Sequence, residues 1–390
     1  MLTDEERIIV ALVASEGWGS EWVKSLIKPL QLLGLSWQEL WAKPNAVGKG
    51  LHLPLAKIAA IEKFKRQFSP AAYLEYLAQG QIEVLTLLHP NYPPLLKYIP
   101  DYPMVLLAKG RIEALKNPTV AIVGTRKMTS YGERVTSKLA SELAGAGLNI
   151  TSGFMYGVDT VAALAAHETG GETVNFLGYG FECVYPGENR RHFAELLEAG
   201  HGFMSEYPPW QHANKLTFPA RNRLVAGASL GVIVTEAAVA SGTMITARLA
   251  TDYGREVFAV PGSIFSEFSE GTRALVNLGA TLVASGQEVV EELASAVNSL
   301  VPESFRLPLR SCRVTPLNGG ESSLKLVPSL VTESNALVQK IYQQLTSDSA
   351  TAESLCIVNE TSLGEVLTAL SYLELAGVVA SNGEYYYLVK

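Results

Sequence analysis

The stretch Val120-Ala-Ile-Val-Gly-Thr-Arg126 decides the fold of this chain. Its four apolar residues predict a strand that is buried on both faces, and Gly124 then lets the backbone approach a ligand closely. A few residues further on, Ser130-x-x-Glu133 has the spacing of a capping box and predicts that a helix begins there. A buried strand, a tight loop and a helix are the first elements of a βαβ unit.

The same alternation of strand-like and helical patterns continues to about residue 298. Further strands are predicted at residues 149–151, 173–177, 202–205, 231–234, 256–260 and 281–283, and helices at 132–144, 159–168, 243–253 and 272–278. Several strands are almost continuous in Val, Ile, Leu and Ala, which is typical of a parallel sheet covered by helices on both faces. The pattern predicts an α/β fold with a doubly wound, Rossmann-like parallel sheet.

The segments that flank this sheet have other patterns. Thr3-x-x-Glu6 has capping-box spacing ahead of an apolar run, the prolines between residues 302 and 328 interrupt any periodicity, and the tail ends in an aromatic ribbon after two predicted helices. The predicted domains are a small helical, SAM-like domain at 1–80, an extended Rossmann-like domain at 81–298, a linker at 299–329 and a winged-helix domain at 330–390. The second tail helix has hardly any Lys or Arg, so we expect the tail to contact protein rather than DNA.

The composition is that of a soluble globular protein without a metal scaffold. Of its 390 residues 48% are hydrophobic, yet no apolar run approaches the roughly 18 residues of a membrane span, and the acidic N-terminus does not resemble a signal peptide. Cys183, Cys312 and Cys356 are scattered and lack metal-ligand spacing, which favours a reducing, cytoplasmic setting. With a net charge of −7, any contact with nucleic acid must come from a local cationic patch.

The stretch Phe218-Pro-Ala-Arg-Asn-Arg223 carries the densest group of cationic and planar side chains. Arg221 and Arg223 are two residues apart and cannot share one face of a helix. We expect one of them to face a ligand and the other to bind a carboxylate, either Glu206 or Glu236. Phe218 is either a core residue or a platform on which a base stacks.

Loops at the carboxyl ends of the other strands carry the remaining candidates, because ligands of open α/β sheets bind at that edge. Arg126 beside a predicted helix start suits a phosphate, although a simple tight turn at Gly124 is the alternative. The other predicted contacts in these loops are Ser152, Gly153, Ser241, Gly242 and Thr243. We find no Ser–His–Asp order, metal cluster or phosphate-binding P-loop sequence, so the residues favour binding over catalysis and predict no cofactor.

In these motifs the chain resembles the DprA/Smf family of DNA-processing proteins. The matching residues are Val120-Ala-Ile-Val-Gly-Thr-Arg126, Ser130-Tyr-Gly132, Ser152-Gly153, Gly157-Val-Asp159, Ser205-Glu-Tyr-Pro208, Phe218-Pro-Ala-Arg-Asn-Arg223, Glu236-Ala237, Ser241-Gly-Thr-Met-Ile-Thr-Ala247 and Arg255-Glu-Val-Phe-Ala-Val-Pro-Gly262. The chain departs from the family pattern at Ala163, where the family usually has a histidine.

The resemblance implies that the protein binds and shields single-stranded DNA and helps to load the RecA recombinase in natural transformation. It also implies a homodimer formed through the Rossmann-like domain. The DNA contacts that the resemblance implies are Arg126, Ser152, Gly153, Phe218, Arg221, Asn222 and Arg223, together with Lys215. Two alternatives remain. One is a nucleotide-processing enzyme similar to the LONELY GUY phosphoribohydrolases, with Glu236 as its acid or base, and the other is an assembly scaffold whose pocket stays empty.

Overall fold

The computed structural model describes residues 2–15, 19–300, 336–345, 350–359, 361–362, 366–367, 369–370, 373, 379–381 and 385–388. The chain divides into two compact units, Met1–Arg313 and Val314–Lys390. The predicted linker at 299–329 lies outside the described residues from residue 301 onward. The four domain boundaries stay predictions. None of the helices among the described residues is long and apolar enough to cross a membrane.

The N-terminal part of the first unit is helical. Its helices are α1 (Asp4–Val13), α2 (Gly19–Leu32), α3 (Trp37–Ala42), α4 (Pro44–Gly50), α5 (Leu55–Gln67) and α6 (Pro70–Gln79). The predicted capping box at the start of α1 is present, because the Thr3 hydroxyl accepts a hydrogen bond from the Glu6 backbone N–H and the Glu6 carboxylate accepts one from the Thr3 backbone N–H. Ser36 and Glu39 cap α3 in the same way.

The remainder of this unit alternates strands and helices. The elements are β1 (Glu83–Thr86), β2 (Val105–Lys109), β3 (Thr119–Val123), α7 (Ser130–Gly145), β4 (Asn149–Thr151), α8 (Val158–Glu168), β5 (Val174–Leu177), α9 (Arg190–Glu198), β6 (Gly202–Ser205), α10 (Thr217–Gly227), β7 (Gly231–Val234), α11 (Gly242–Asp252), β8 (Glu256–Ala259), α12 (Glu270–Asn277), β9 (Thr281–Leu282) and α13 (Gly286–Leu300). Each strand predicted from β3 to β9 is present, and its bounds differ from the prediction by one residue at most.

The strand order confirms an α/β fold with a parallel sheet. The strands pair in the orders β1-β2-β6-β5 and β4-β3-β7-β8-β9, and a bridge between Ile150 and Thr173 joins the two groups. Strands β3 to β9 run parallel to one another, whereas β2 runs antiparallel to both β1 and β6. From β3 the chain adds β4, β5 and β6 in turn on one side of that strand. It then returns to β3 and adds β7, β8 and β9 on the other side. This reversal between β3 and β7 is the point where doubly wound sheets bind ligands.

Both faces of the sheet are covered, as the apolar strands predict. Val120 and Ile122 of β3 belong to a core cluster with α7, α8 and α13, whereas Ala121 and Val123 belong to another with α10 and α11. This split follows from the two-residue period of a strand. Helices therefore hold β3 rigidly from both sides, and its carboxyl end is a firm support for the loop that begins at Gly124.

The second unit has its own small core. Its described elements are α14 (Ala336–Leu345), β10 (Ala350–Thr351), α15 (Ala352–Asn359), β11 (Val379–Ser381) and β12 (Tyr385–Leu388). The three strands form an antiparallel sheet in the order β10-β12-β11, and Ile341, Leu355 and Leu373 are buried beside it. The sequence analysis did not predict α15. The winged-helix assignment of this unit stays a prediction.

Candidate functional site

A cavity of about 640 Å³ lies at the carboxyl ends of β3 and β7, where the strand order reverses. We call it the switch-point cavity. The predicted residues that line it are Gly124, Arg126, Gly153, Lys215, Phe218, Arg221, Asn222, Ser241, Gly242 and Thr243. Loops from distant parts of the sequence thus converge here, because the parallel strands all end at this edge of the sheet. The predicted contacts Ser152 and Arg223 are not part of the lining.

The loop after β3 follows a tight path because Gly124 has no side chain. A Cβ at this position would lie only 2.5 Å from a Val158 methyl group. The Thr125 backbone N–H donates to the Glu236 carbonyl oxygen at 2.7 Å, which ties the loop to the segment after β7. The following residue, Arg126, is exposed at the mouth of the cavity.

Arg126 lies against an aromatic pair. Its guanidinium carbon is 5.1 Å from the centroid of the Phe218 ring, a distance typical of a cation–π contact. The Tyr185 ring lies 5.7 Å from the Phe218 ring. Phe218 is partly buried against the core and also lines the cavity, and its role as a platform for a base stays a prediction. Sequence reasoning missed Tyr185, although an aromatic residue in the loop after β5 was a usable signal.

Arg221 lies in the floor of the cavity and is only 3% exposed. Its guanidinium group donates to the carbonyl oxygens of Gly153 and Phe176, and so it joins the loop after β4 to β5. A Cβ at Gly153 would overlap this guanidinium group, which explains the glycine. Burial raises the pKa of the Asp159 carboxyl group, and the positive charge of Arg221 opposes that rise.

Arg223 points away from the cavity, although we predicted it among the DNA contacts. Its guanidinium group forms an ion pair with Glu206, and Asp101 lies 3.8 Å from its Nε atom. Only 12% of the Arg223 side chain is exposed. The two arginines therefore have separate environments, because a two-residue step on a helix turns a side chain to another face.

Ser152 and Glu236 have structural partners, which corrects two expectations. The buried Ser152 hydroxyl donates to the Ile122 carbonyl oxygen at 2.6 Å and has no contact with the cavity. Glu236, expected as a partner of an arginine, instead accepts hydrogen bonds from the Thr129 backbone N–H and hydroxyl at 2.9 and 2.6 Å. Because Glu236 holds Thr129 in place, Thr129 is the cap of α7, not Ser130 as the capping-box spacing predicted.

The start of α11 faces the cavity from the other side. Gly242 begins this helix, and the Asn222 side-chain amide donates to its carbonyl oxygen at 3.3 Å. The Ser241 hydroxyl is buried and has no hydrogen-bond partner within the described part of the chain. Helix N-termini present free N–H groups and partial positive charge, so this end of the cavity favours an anion.

The charges around the cavity contrast with those of the whole chain. Arg126, Lys127, Lys215 and Arg221 line it, and Asp159 is the carboxylate that faces them. These residues form a local cationic patch in a protein of net charge −7. The composition predicted that any contact with nucleic acid needs such a patch. The described residues contain no group of three His, Cys, Asp or Glu side chains that could hold a metal ion.

The chain is similar to several known proteins. The family model described as DNA recombination-mediator protein A matches residues 83–294. Protein Smf of Synechocystis is 29% identical over 98% of this chain and 98% of its own length. The crystal structure of DNA processing protein A (DprA) from Streptococcus pneumoniae is 33% identical, with a TM-score of 0.64 over 75% of this chain and 99% of that chain. The structure that describes the single-stranded DNA binding mode of DNA processing protein A from Helicobacter pylori is 32% identical, with a TM-score of 0.50 over 55% of this chain and 97% of that chain.

Proposed function

The chain belongs to the DNA recombination-mediator protein A family, in agreement with its resemblance to DprA/Smf proteins, and from this membership we propose that it binds single-stranded DNA without sequence preference and shields it. The observation that carries the proposal is the contact of Arg126 with Phe218 at the mouth of the switch-point cavity. A cation beside an aromatic face can take a phosphate and a base of the same strand. Every base has a π face, so such a site accepts all sequences.

We also propose the finer assignments that the family resemblance implies. The protein helps to load the RecA recombinase onto bound DNA in natural transformation, and it forms a homodimer through the Rossmann-like domain. The tail, as a winged-helix domain, contacts protein. Sedimentation of the full chain with and without RecA and single-stranded DNA tests these assignments, since a monomer that never associates with RecA-coated DNA would contradict them.

Replacement of Arg126 by alanine tests the DNA-binding proposal. We expect Arg126→Ala to weaken single-stranded DNA binding for all sequences alike, and to lower the slope of log affinity against log salt by about 0.7 per lost phosphate contact. Titrations of the wild type and the variant with single- and double-stranded DNA at two salt concentrations measure both quantities. Arg248→Ala is the matched control, because that side chain is 85% exposed and lies outside the cavity lining. Equal affinity and slope for wild type and Arg126→Ala would contradict the proposal.

The phosphoribohydrolase alternative depended on Glu236 as an acid or base. Both oxygens of this carboxylate accept hydrogen bonds from Thr129, and Glu236 is 3% exposed and outside the cavity lining. The geometry therefore favours a structural role for Glu236. Release of free base from nucleoside monophosphates by the purified protein would support the phosphoribohydrolase alternative.

A further inference from the structure

A second cavity, of about 770 Å³, lies between the N-terminal helices and the segment after β6, within the first compact unit. We call it the helix-side cavity. The side chains that matter for its chemistry are Phe64, Phe68, Tyr207, Trp210, Glu206 and Arg223. The sequence predicts no chemistry for residues 1–80 and assigns Arg223 to the first site. The structure brings Arg223 and the N-terminal aromatic residues together in another place.

The walls of the helix-side cavity are aromatic. The Phe64 and Phe68 rings stack with their centroids 4.4 Å apart, with Phe64 in the last turn of α5 and Phe68 just after its end. Tyr73 connects them to the segment after β6, because its ring lies 5.1 Å from Phe68 and 5.5 Å from Trp210. Trp210 is 45% exposed, an unusual state for a large aromatic residue beside a cavity. Bases of a single strand stack on aromatic rings, and the exposed Trp210 ring and the half-buried Phe64–Phe68 pair are the candidates here.

One buried polar group in the lining of this cavity lacks a hydrogen-bond acceptor among the described residues. The Nη1 atom of Arg223 is buried and has no hydrogen-bond partner among the described residues, while the Nη2 atom of the same side chain contacts Glu206. The other acidic residue of the lining, Glu21, is paired with Lys24 at 2.8 Å. An arginine nitrogen without an acceptor is costly when buried, and a phosphate or a base carbonyl would supply one.

Cationic residues surround the two phenylalanines. They lie in the run Lys63-Phe64-Lys65-Arg66-Gln67-Phe68 at the end of α5, where Lys63 and Arg66 are exposed. These cations lie next to the two phenylalanines in sequence but outside the lining of the cavity, so they add positive charge near the aromatic residues. Positive charge together with aromatic side chains is the combination that binds single-stranded nucleic acid.

The two cavities lie on opposite sides of one element. Phe218 and Asn222 of α10 line the switch-point cavity, and Arg223 lines the helix-side cavity. The segment between β6 and α10 also runs along both, with Trp210 in the second lining and Lys215 in the first. A strand that leaves the first cavity past Lys215 therefore meets the second one next.

We propose that single-stranded DNA bound in the switch-point cavity crosses the start of α10 and stacks further bases on Trp210, Phe64 and Phe68 in the helix-side cavity. This inference rests on the proposed function, because the same strand occupies both cavities. Arg223 then contacts DNA after all, through its Nη1 atom, while its Nη2 atom stays on Glu206. The N-terminal helices become part of the DNA-binding surface.

Oligonucleotides of two lengths test the second site. An oligomer of about 4 nucleotides occupies one cavity, whereas one of about 16 nucleotides reaches both. We expect Trp210→Ala, and separately Phe64→Ala, to weaken binding of the long oligomer about 5-fold or more while binding of the short one stays unchanged. Fluorescence anisotropy of labelled oligomers with the full chain measures both. Tyr98→Ala is the matched control, since Tyr98 is 77% exposed and lines neither cavity.

The outcomes separate the two proposals. If Arg126→Ala weakens binding of both oligomers but Trp210→Ala and Phe64→Ala leave the long oligomer unaffected, the second site is refuted and the first stands. The same result is expected if the helix-side cavity binds a peptide and not DNA. If Arg126→Ala changes nothing, the proposed function itself fails. Photo-crosslinking with thiothymidine DNA supplies independent evidence, because adducts on residues 64–68 or 207–212 support the path and adducts confined to the first cavity contradict it.

Discussion

Arg221 connects the chemistry of the switch-point cavity to the stability of the fold. Its guanidinium group donates to the carbonyl oxygens of Gly153 and Phe176, beside the buried carboxyl group of Asp159. The free-energy cost of burying such a cation is offset only by its hydrogen-bond and charge partners. Those buried partners need the cation in turn, because without it they are unpaired. The floor of the cavity is therefore rigid, whereas Arg126 at the mouth is exposed and free to follow a ligand.

Replacement of Arg221 by alanine tests this structural role. Arg221→Ala leaves two buried carbonyl oxygens without donors and Asp159 without its nearby cation, so we expect a loss of about 3 kcal/mol in the free energy of unfolding. Urea denaturation measures it. The control Arg126→Ala should change that free energy by less than about 0.5 kcal/mol, because its side chain is exposed. Equal stability of the two variants would show that Arg221 is not a structural support.

Individual side chains show where sequence reasoning succeeds and where it fails. Arg126 and Phe218 were placed at the edge of the sheet because strand ends of a parallel sheet meet there. Ser152 and Glu236 were misjudged, since a hydroxyl or carboxylate at a strand end serves a ligand or a neighbouring backbone group equally well. Whether Ser152 and Glu236 bind a ligand or the backbone depends on whether the Ile122 carbonyl oxygen and the Thr129 N–H lie within hydrogen-bond distance. That distance is set by the packed fold and not by the spacing of residues in the sequence.

At the scale of elements, local signals gave the strands but not all of the helices. Strands such as β3 and β7 are almost continuous in apolar residues, so their positions followed from burial on both faces, whereas β4 (Asn149–Thr151) and β9 (Thr281–Leu282) are short and partly polar. The start of α7 was predicted at a capping box, yet Glu236 from the segment after β7 stabilises Thr129 as the cap instead. A contact between residues that are far apart in sequence overrides a local preference. The helices α9 and α15 were not predicted at all.

Deletion of the acidic tail tests which part of the chain binds DNA. Residues 330–390 contain two lysines, no arginine and seven carboxylates, a net charge of −5. A segment of this charge repels a DNA backbone. We therefore expect deletion of residues 330–390 to spare most of the affinity for single-stranded DNA, or to raise it slightly at low salt. A titration of the shortened chain at two salt concentrations measures this, and a large loss of affinity would assign DNA contacts to the tail.

At the scale of the whole molecule, charge is distributed unevenly. The chain has a net charge of −7, of which the tail accounts for −5, while cationic residues collect around the switch-point cavity. Such segregation keeps the protein soluble and still draws a DNA strand to one place. The total charge could be predicted from composition, whereas its concentration at one edge of the sheet needed the fold.

The stability of the whole fold should depend on a histidine pair on the opposite edge of the sheet. His201 is 6% exposed, its Nε2 atom lies 2.9 Å from Nδ1 of His167, and its Nδ1 atom accepts a hydrogen bond from the Thr173 backbone N–H. Burial first, and then the nearby His167 and Arg111, lower the pKa of His201 from 6.5 to about 4. The folded protein therefore holds a proton on His201 less readily than the unfolded chain does.

Because of this difference in the pKa of His201, a fall in pH destabilises the folded protein. The contribution of His201 to stability is fully present above the unfolded pKa of about 6.5 and is lost as the pH falls from there toward the folded pKa of about 4, so we expect a loss of about 2 kcal/mol between about pH 7.5 and about pH 5 from His201 alone. Urea denaturation of the wild type and of His201→Asn at both pH values measures it, because other groups that titrate in this range contribute equally to both proteins. The variant should show the smaller decrease. Parallel decreases in the two proteins would mean that His201 takes up its proton without cost to the fold.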